Sequence, residues 1–427
     1  ENTPEAVAGT SATAYYFAQY LQNVLDVPVG VIVTCWGGTP VEAWMDRETM
    51  SGFKEFDLSF LDNPDQIDRP QYKPCGLYNG MIAPLVPYTV KGFLWYQGES
   101  NVTRPRQYRE LFTQEAVNTT EVIWARQMSV GMTTFHDLTW RYTSGSYGQR
   151  WSLDQDFVKT YLNLDGSRHT ATGEEFTTEV ENRDYRLSQS IITPGYTKLV
   201  GGVSTATPPD FTVTLTGYQV IKFNIDDKAY ESASVSYNSL PIMRYAEVLL
   251  NYAEAKAELG EFSDDIWNKT IKPLRERAGV DGKRPTSADP YLQQYYGLSD
   301  SDLLEIRRER AIELLLEGFR YNDLMRWHAG ELLNKQWYGI YIPAMDTSYD
   351  LNGDGINDVC VISGEAGNEP GVTYIVLDDS KYSLENGTTG RLLYTVGRNF
   401  EEKRYLRPIP KTALNINPDL GQNYYWR

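Results

Sequence analysis

Ile306-Arg-Arg-Glu-Arg-Ala-Ile-Glu-Leu-Leu-Leu-Glu-Gly-Phe-Arg-Tyr-Asn-Asp-Leu-Met-Arg-Trp327 decides how the larger part of this chain folds. Leu303, Ile306, Ile312, Leu314 and Leu315 run at helical spacing up to Gly318. Asp300 or Ser301 stands where an N-cap belongs, and Asp302 and Glu305 lie at the end of the helix that favours negative charge. Leu324, Trp327 and Leu332 continue the pattern in a further helix. Upstream, Pro241 suits the first turn of a helix in which Ile242, Tyr245, Ala246, Leu249, Leu250 and Ala253 form one apolar stripe, with Gly260 as its stop. Paired helices of this size predict a tetratricopeptide-like stack, although no 34-residue self-similarity is visible.

Moving outward, residues 114 to about 238 are rich in Thr, Ser, Gly and Asn, with short strand-like pieces such as Phe211 to Leu215. The first 113 residues have another character. Ala14, Phe17, Ala18, Leu21 and Leu25 mark a helix, and Val27 to Trp36 reads as a buried strand ended by Gly37-Gly38. A helical stretch around Gly76 to Leu85 leads to a second apolar strand, Val90 to Tyr96, which stops at Gln97-Gly98-Glu99-Ser100-Asn101. Helix-to-strand alternation with polar, glycine-bearing loops predicts an α/β segment whose site lies at the carboxyl edge of the sheet. The chain thus reads as multidomain, with residues 1–113 and 114–427 as separate pieces.

Composition narrows the function classes. With 57 acidic against 40 basic residues the formal charge is −17, which repels phosphate backbones and argues against a nucleic-acid partner. The 31 tyrosines and 10 tryptophans supply large faces with polar edges, the kind of surface that suits sugar rings as well as ordinary half-buried packing. Cys35, Cys75 and Cys360 are too few and too scattered for a disulfide framework, and Cys35, within an apolar run, is expected to be a buried thiol. No run reaches the length of a membrane-spanning helix. The chain begins at Glu1, so a processed or truncated start is expected.

Four motifs carry a resemblance in the first segment: Pro28-Val-Gly-Val-Ile32, Trp36-Gly-Gly-Thr-Pro-Val-Glu-Ala-Trp44, Leu77-Tyr-Asn-Gly-Met-Ile-Ala-Pro84 and Gly92-Phe-Leu-Trp-Tyr-Gln-Gly-Glu-Ser-Asn101. Together they resemble the sialate O-acetylesterase family, which implies part of a three-layer SGNH-hydrolase fold. By that resemblance Gly38, Gln97 and Asn101 would sit at an oxyanion pocket, where fixed donors meet the charge of a tetrahedral intermediate. Acyl transfer also needs a hydroxyl, a base and a group to orient that base. The family's Gly-Gln-Ser-Asn nucleophile motif is absent here. His136, His169 and His328 all fall beyond residue 113, and none sits in the family's Asp-x-x-His element. A complete catalytic site is therefore not expected, and an O-acetylesterase acting on sialoglycans is the alternative reading.

From about Glu121 onward the chain resembles the C-terminal region of the RagB/SusD family. The matching pieces are Leu240-Pro-Ile-Met-Arg-Tyr-Ala-Glu-Val-Leu-Leu-Asn-Tyr-Ala-Glu-Ala-Lys256, the 306–327 run, Tyr405-Leu-Arg-Pro-Ile-Pro410, Asn182-Arg-Asp-Tyr-Arg186 and Gly217-Tyr218. The resemblance implies a mainly helical domain with long loops at the outer-membrane surface. It also implies oligosaccharide binding and delivery to a SusC-like, TonB-dependent transporter without catalysis. Glu309, Arg310, Glu313 and Arg320 read as a charged network between helices. Trp140, Trp151 and Trp337, in loop-like context, are the candidate sugar-contacting residues.

One further motif stands apart. In Asp350-Leu-Asn-Gly-Asp-Gly-Ile-Asn-Asp358, side-chain oxygens of Asp350, Asn352, Asp354 and Asp358 recur at positions 1, 3, 5 and 9, with glycine at 6 and the Ile356 carbonyl at 7. That spacing resembles a calcium loop, and a structural calcium is expected of it. Val361 stands where a full EF-hand would place a bidentate Glu. A cation-free, Asx-rich turn is the other reading.

Overall fold

The computed structural model describes residues 11–51, 56–62, 68–90, 112–113, 121–377 and 381–426. It divides into two compact units, one comprising Glu1–Val102 with Asn118–Ile123, the other Thr103–Val117 with Trp124–Arg427.

In the N-terminal unit the first helix forms where its periodicity places it. Helix α1, Ala12–Leu25, is capped by the Ser11 hydroxyl, which accepts from the Ala14 amide at 3.4 Å, and ends on Asp26 in the left-handed region (φ 52°). Val27 to Trp36 departs from expectation, forming neither helix nor strand and leaving Ile32 and Trp36 more than half exposed. Cys35 is exposed as well, which corrects the expectation of a buried thiol. Nearly all of the second expected strand lies outside the described residues. A small core gathers Ala43, Trp44 and Leu77, packed by Met81 and Ile82, and the Trp44 indole donates to the Thr39 hydroxyl at 3.0 Å.

The C-terminal unit is mainly helical, with short sheets and long connections. Its helices include α2 (Leu138–Thr143), α3 (Gln155–Val158), α4 (Tyr245–Glu258), α5 (Ile271–Arg277), α6 (Pro290–Tyr296), α7 (Ser301–Glu313) and α8 (Arg320–Arg326). For α7 the cap is Asp300, whose carboxylate accepts from the Leu303 amide at 2.8 Å. Helix α4 begins at Tyr245, later than the proline suggested, because Leu240–Arg244 is a strand. Arg244 is held extended there (φ −140°, ψ 161°), and its guanidinium reaches Glu313 and Glu317. The piece from Phe211 to Leu215 is a turn rather than a strand. The main core joins Leu249, Leu250 and Ala253 of α4 to Trp267, Ile271, Leu274, Ile306 and Leu314, all nearly sealed from solvent.

Among the described residues the strands are β1 (Val122–Arg126), β2 (Thr197–Val200), β3 (Val203–Ala206), β4 (Leu240–Arg244), β5 (Trp337–Ile342), β6 (Ser348–Tyr349), β7 (Val359–Ile362), β8 (Thr373–Val376), β9 (Tyr382–Leu384) and β10 (Gly390–Tyr394). Two three-stranded sheets follow the helices, ordered β5–β10–β9 and β6–β7–β8, the latter with a parallel β7–β8 pair. Close approach fixes how β5 seats. A Cβ on Gly217 (φ 88°) would come within 2.8 Å of Ile340, and one on Gly339 within 2.5 Å of the Thr216 carbonyl, so both positions require glycine.

Candidate functional site

Register across the β5–β10–β9 sheet places three aromatic residues in one row. Tyr394 of β10 lies opposite Trp337 of β5 and opposite Tyr382 of β9, all antiparallel and all half-buried. The Trp337 and Tyr394 rings stack at 6.2 Å with planes 28° apart, and Tyr394 meets Tyr382 at 5.4 Å. Cross-strand neighbours on one face come this close by the geometry of the ladder alone.

Trp337 is also a wall of a cavity of about 380 Å³, within the size range of small-ligand pockets. Phe157, Tyr295 and Phe400 add aromatic surface, while Asp154, Arg320, Arg398 and Arg404 supply the charge. The Arg398 guanidinium lies over the Trp337 ring, 3.3 Å from its centre, and donates to the Lys335 carbonyl at 3.2 Å. Arg320 donates to the Tyr296 hydroxyl at 3.0 Å and lies over the Phe157 ring. Asp154 caps α3 by accepting from the Asp156 amide at 2.8 Å. Burial, and then the charge of Asp156, push the Asp154 carboxyl up to about 6, against the pull of the Asp156 and Phe157 amides and of Lys335. Burial lowers the pKa of Arg398, with Asp154 opposing.

Of the three tryptophans singled out from sequence, Trp337 is thus in the cavity wall, and Trp151 immediately precedes Ser152, another lining residue. Trp151 packs edge-on to Tyr142 at 5.0 Å and is 39% exposed, leaving part of its face open. Trp140, on α2, pairs with Tyr147 at 5.1 Å and lies under the Arg141 guanidinium. Sequence reasoning passed over Tyr382, Tyr394 and Arg398. The signal for the two tyrosines is strand register, and for Arg398 the path of the chain after β10, neither of which a local pattern carries.

Other expected groupings are rearranged. Glu309 and Glu313 do form a buried network, but with Arg186, Arg244, Arg275 and Arg277 as partners, while Arg310 pairs with Asp323. Arg320 belongs to the cavity instead. Gly38 occupies a left-handed turn (φ 73°), while Gln97 and Asn101 lie outside the described residues. The histidines, all in the C-terminal unit, are engaged elsewhere. His136 bonds the Asn238 carbonyl at 2.7 Å, His169 meets Glu174 at 2.8 Å, and His328 meets Glu402 at 3.2 Å while stacking on Tyr405.

Asp350–Asp358 forms the connection from β6 to β7. Asp350 accepts from the amides of Asn352, Gly353 and Gly355, Asp354 from that of Ile356 at 2.9 Å, and Asp358 from that of Leu351 at 2.7 Å. Asn352 donates to Asp354 at 3.1 Å. Burial raises the pKa of Asp358, the Leu351 amide opposes, and the charges of Asp350 and Asp354 raise it further. Among the described residues no three His, Cys, Asp or Glu side chains converge as a ready metal site. The loop is closed on its own amides.

Comparison with known proteins follows the same two-part division. The SusD family matches residues 120–426, and a family described as carbohydrate esterase, sialic acid-specific acetylesterase matches residues 3–130. Human sialate O-acetylesterase is 38% identical over 95 residues, 22% of this chain and 17% of that protein. SusD-like protein P38 of Formosa agariphila is 28% identical over 145 residues, 34% of this chain and 24% of its own length. Among solved structures, a SusD-like protein from Bacteroides fragilis is 19% identical with a TM-score of 0.49, covering 81% of this chain and 61% of the other. A SusD-like carbohydrate binding protein from the same species is 25% identical with a TM-score of 0.46, the shares being 74% and 57%. The chain therefore spans less than two thirds of each of these relatives. With more than half its length matched by one family, this chain belongs to the SusD family, and it carries an N-terminal segment similar to the sialic acid-specific acetylesterases.

Proposed function

We propose that this chain binds oligosaccharide at the outer surface of the cell and passes it to a SusC-like, TonB-dependent transporter. The observation that carries the reading is the aromatic row Tyr382–Tyr394–Trp337 ending at a cavity lined by further aromatic and charged side chains. Ring faces in a row suit the apolar faces of successive sugars, and charged groups at one end supply orientation. Membership of the SusD family supports both the ligand class and the surface location. Among the described residues no helix is long and apolar enough to cross a membrane. A glycan array probed with the whole chain, followed by titration of the best ligand against Trp337→Ala and Tyr394→Ala, tests the reading. Equal binding by both variants and the parent would remove it.

The alternative, an O-acetylesterase, is favoured by the 38% identity to human sialate O-acetylesterase over 95 residues. Against it, none of the three histidines bonds a serine or threonine hydroxyl among the described residues. Turnover of p-nitrophenyl acetate that is lost on changing Gln97 or Asn101 would reverse the ranking.

The same reading gives the Asp350–Asp358 loop a structural calcium. Its support is the position-1, 3, 5, 9 spacing of side-chain oxygens with glycine at position 6.

A further inference from the structure

Across the helical core of the C-terminal unit, buried guanidiniums meet carboxylates. Arg186 pairs with Asp184, Glu309 and Glu313, Arg275 with Glu309, and Arg391 with Glu179 at 2.9 Å. Among the described residues Arg183, on three carbonyls, and Arg307, on the Tyr296 and Trp327 faces, are buried with no ion pair, but the cavity beside Trp337 gathers three cations without one in a single lining. Arg320 has phenolic and aromatic neighbours, Arg398 has an indole face and a carbonyl, and Arg404 stands exposed at the rim. None of these three has an ion pair among the described residues, and the single carboxylate in the lining, Asp154, caps α3 while its charge acts on Arg398 from beyond ion-pair distance. Three cations thus face one cavity against one acid, in a chain whose formal charge is −17.

A partly desolvated cation without a counterion is unfavourable unless something supplies the anion. A neutral sugar could be held by the aromatic surface and uncharged donors, without clustered guanidiniums. We infer that the cavity takes an anionic sugar residue, whose carboxylate or sulfate oxygens are received by the forked donors of Arg398 and Arg320 while its ring packs on the aromatic wall. Guanidiniums match planar or tetrahedral oxyanions through paired hydrogen bonds, and a charge-assisted contact of this kind is about twice as strong as a neutral one. At about 380 Å³ the space accommodates one sugar residue with its acidic group, so selection acts on a single unit of a longer chain lying along the aromatic row.

This inference rests on the glycan-binding reading and deepens it by naming the ligand's charge. The test is binding of the whole chain to matched glycan pairs that share a neutral core and differ only in a sialic acid, a uronate or a sulfate ester. The expected result is at least tenfold tighter binding of the charged member at low salt, shrinking as salt is raised. Arg398→Gln should remove that preference and Arg398→Lys should restore part of it. Arg404→Gln, at the exposed rim, should reduce the preference with an unchanged melting temperature, separating ligand effects from folding. The uronate, sialic acid and sulfate arms distinguish the source of the negative charge. Equal binding across the pairs, or a preference that survives Arg398→Gln, overturns the inference while leaving glycan binding intact. Absence of binding to charged and neutral members alike removes both.

Discussion

The Arg186 guanidinium donates to the Glu313 carboxylate at 2.8 Å across 127 residues of sequence, both groups fully buried. The other Glu313 oxygen receives Arg244 at 2.6 Å and also Arg277, so one carboxylate answers three cations. Burial works to raise the pKa of Glu313, but Arg277, Arg244 and Arg186 together outweigh it and hold the carboxyl well below its ordinary range.

Removing that carboxylate should therefore cost far more than removing a surface acid. Glu313→Ala is expected to destabilise the C-terminal unit by about 3–5 kcal/mol, since it strands buried charge. Urea denaturation of the whole chain measures this, and a loss below about 1 kcal/mol would show the network to be dispensable. Because the folded pKa is depressed, this contribution is fully present above about pH 4.5 and disappears as pH falls through the folded value.

Trp337→Ala should weaken glycan binding about tenfold or more, the loss expected when an aromatic anchor is truncated. Trp337→Phe should retain part of the affinity, because a ring face remains. The same substitution at Trp140, which is not among the residues lining the cavity, should cost less. Calorimetric titration ranks the three, and an order with Trp140 first would relocate the site.

Asp154 gives the cavity a pH response. Its carboxyl titrates near 6, facing Asp156, Lys335, Arg398 and Tyr295. As pH falls from 7 to 5 it loses its charge while a sugar carboxylate or sulfate keeps its own, so affinity for an anionic glycan should rise severalfold. Asp154→Asn should flatten that profile. For folding the sign is the reverse of Glu313. A raised carboxyl pKa contributes stability that is fully present below about 3.8 and lost as pH rises through about 6.

Calcium should raise the melting temperature if the Asp350–Asp358 loop holds it, and excess chelator should lower it again. Asp358→Asn should abolish the response without altering glycan affinity. A melting curve indifferent to both calcium and chelator would leave the loop as an amide-closed turn.

Helices α1 and α7 were legible in the sequence because periodicity and caps are local, written within a few residues of each other. Leu240–Arg244 was misread as helix because Arg244's conformation answers to Glu313 and Glu317, some seventy residues away. Val27 to Trp36 shows the converse, an apolar run that local pattern alone makes a strand although no described neighbour pairs with it. The cavity was harder still. Trp337 stood out as an aromatic in a loop-like setting, but Tyr382 and Tyr394 become its companions only through the pairing of three strands, and Arg398 only through the fold of the chain after β10. Composition showed an excess of aromatics without showing that some of them stand in file.

Hydrogen bonding between main chains brings Trp337, Tyr394 and Tyr382 into file one strand apart, and their side chains then set the rings 6.2 and 5.4 Å from one another. The sheet is in that sense a ruler. A polymer laid across it is gauged by the advance of its repeat, so substituting one ring changes grip, whereas moving the β-bulge between Arg391 and Leu393 would change which linkage geometries fit.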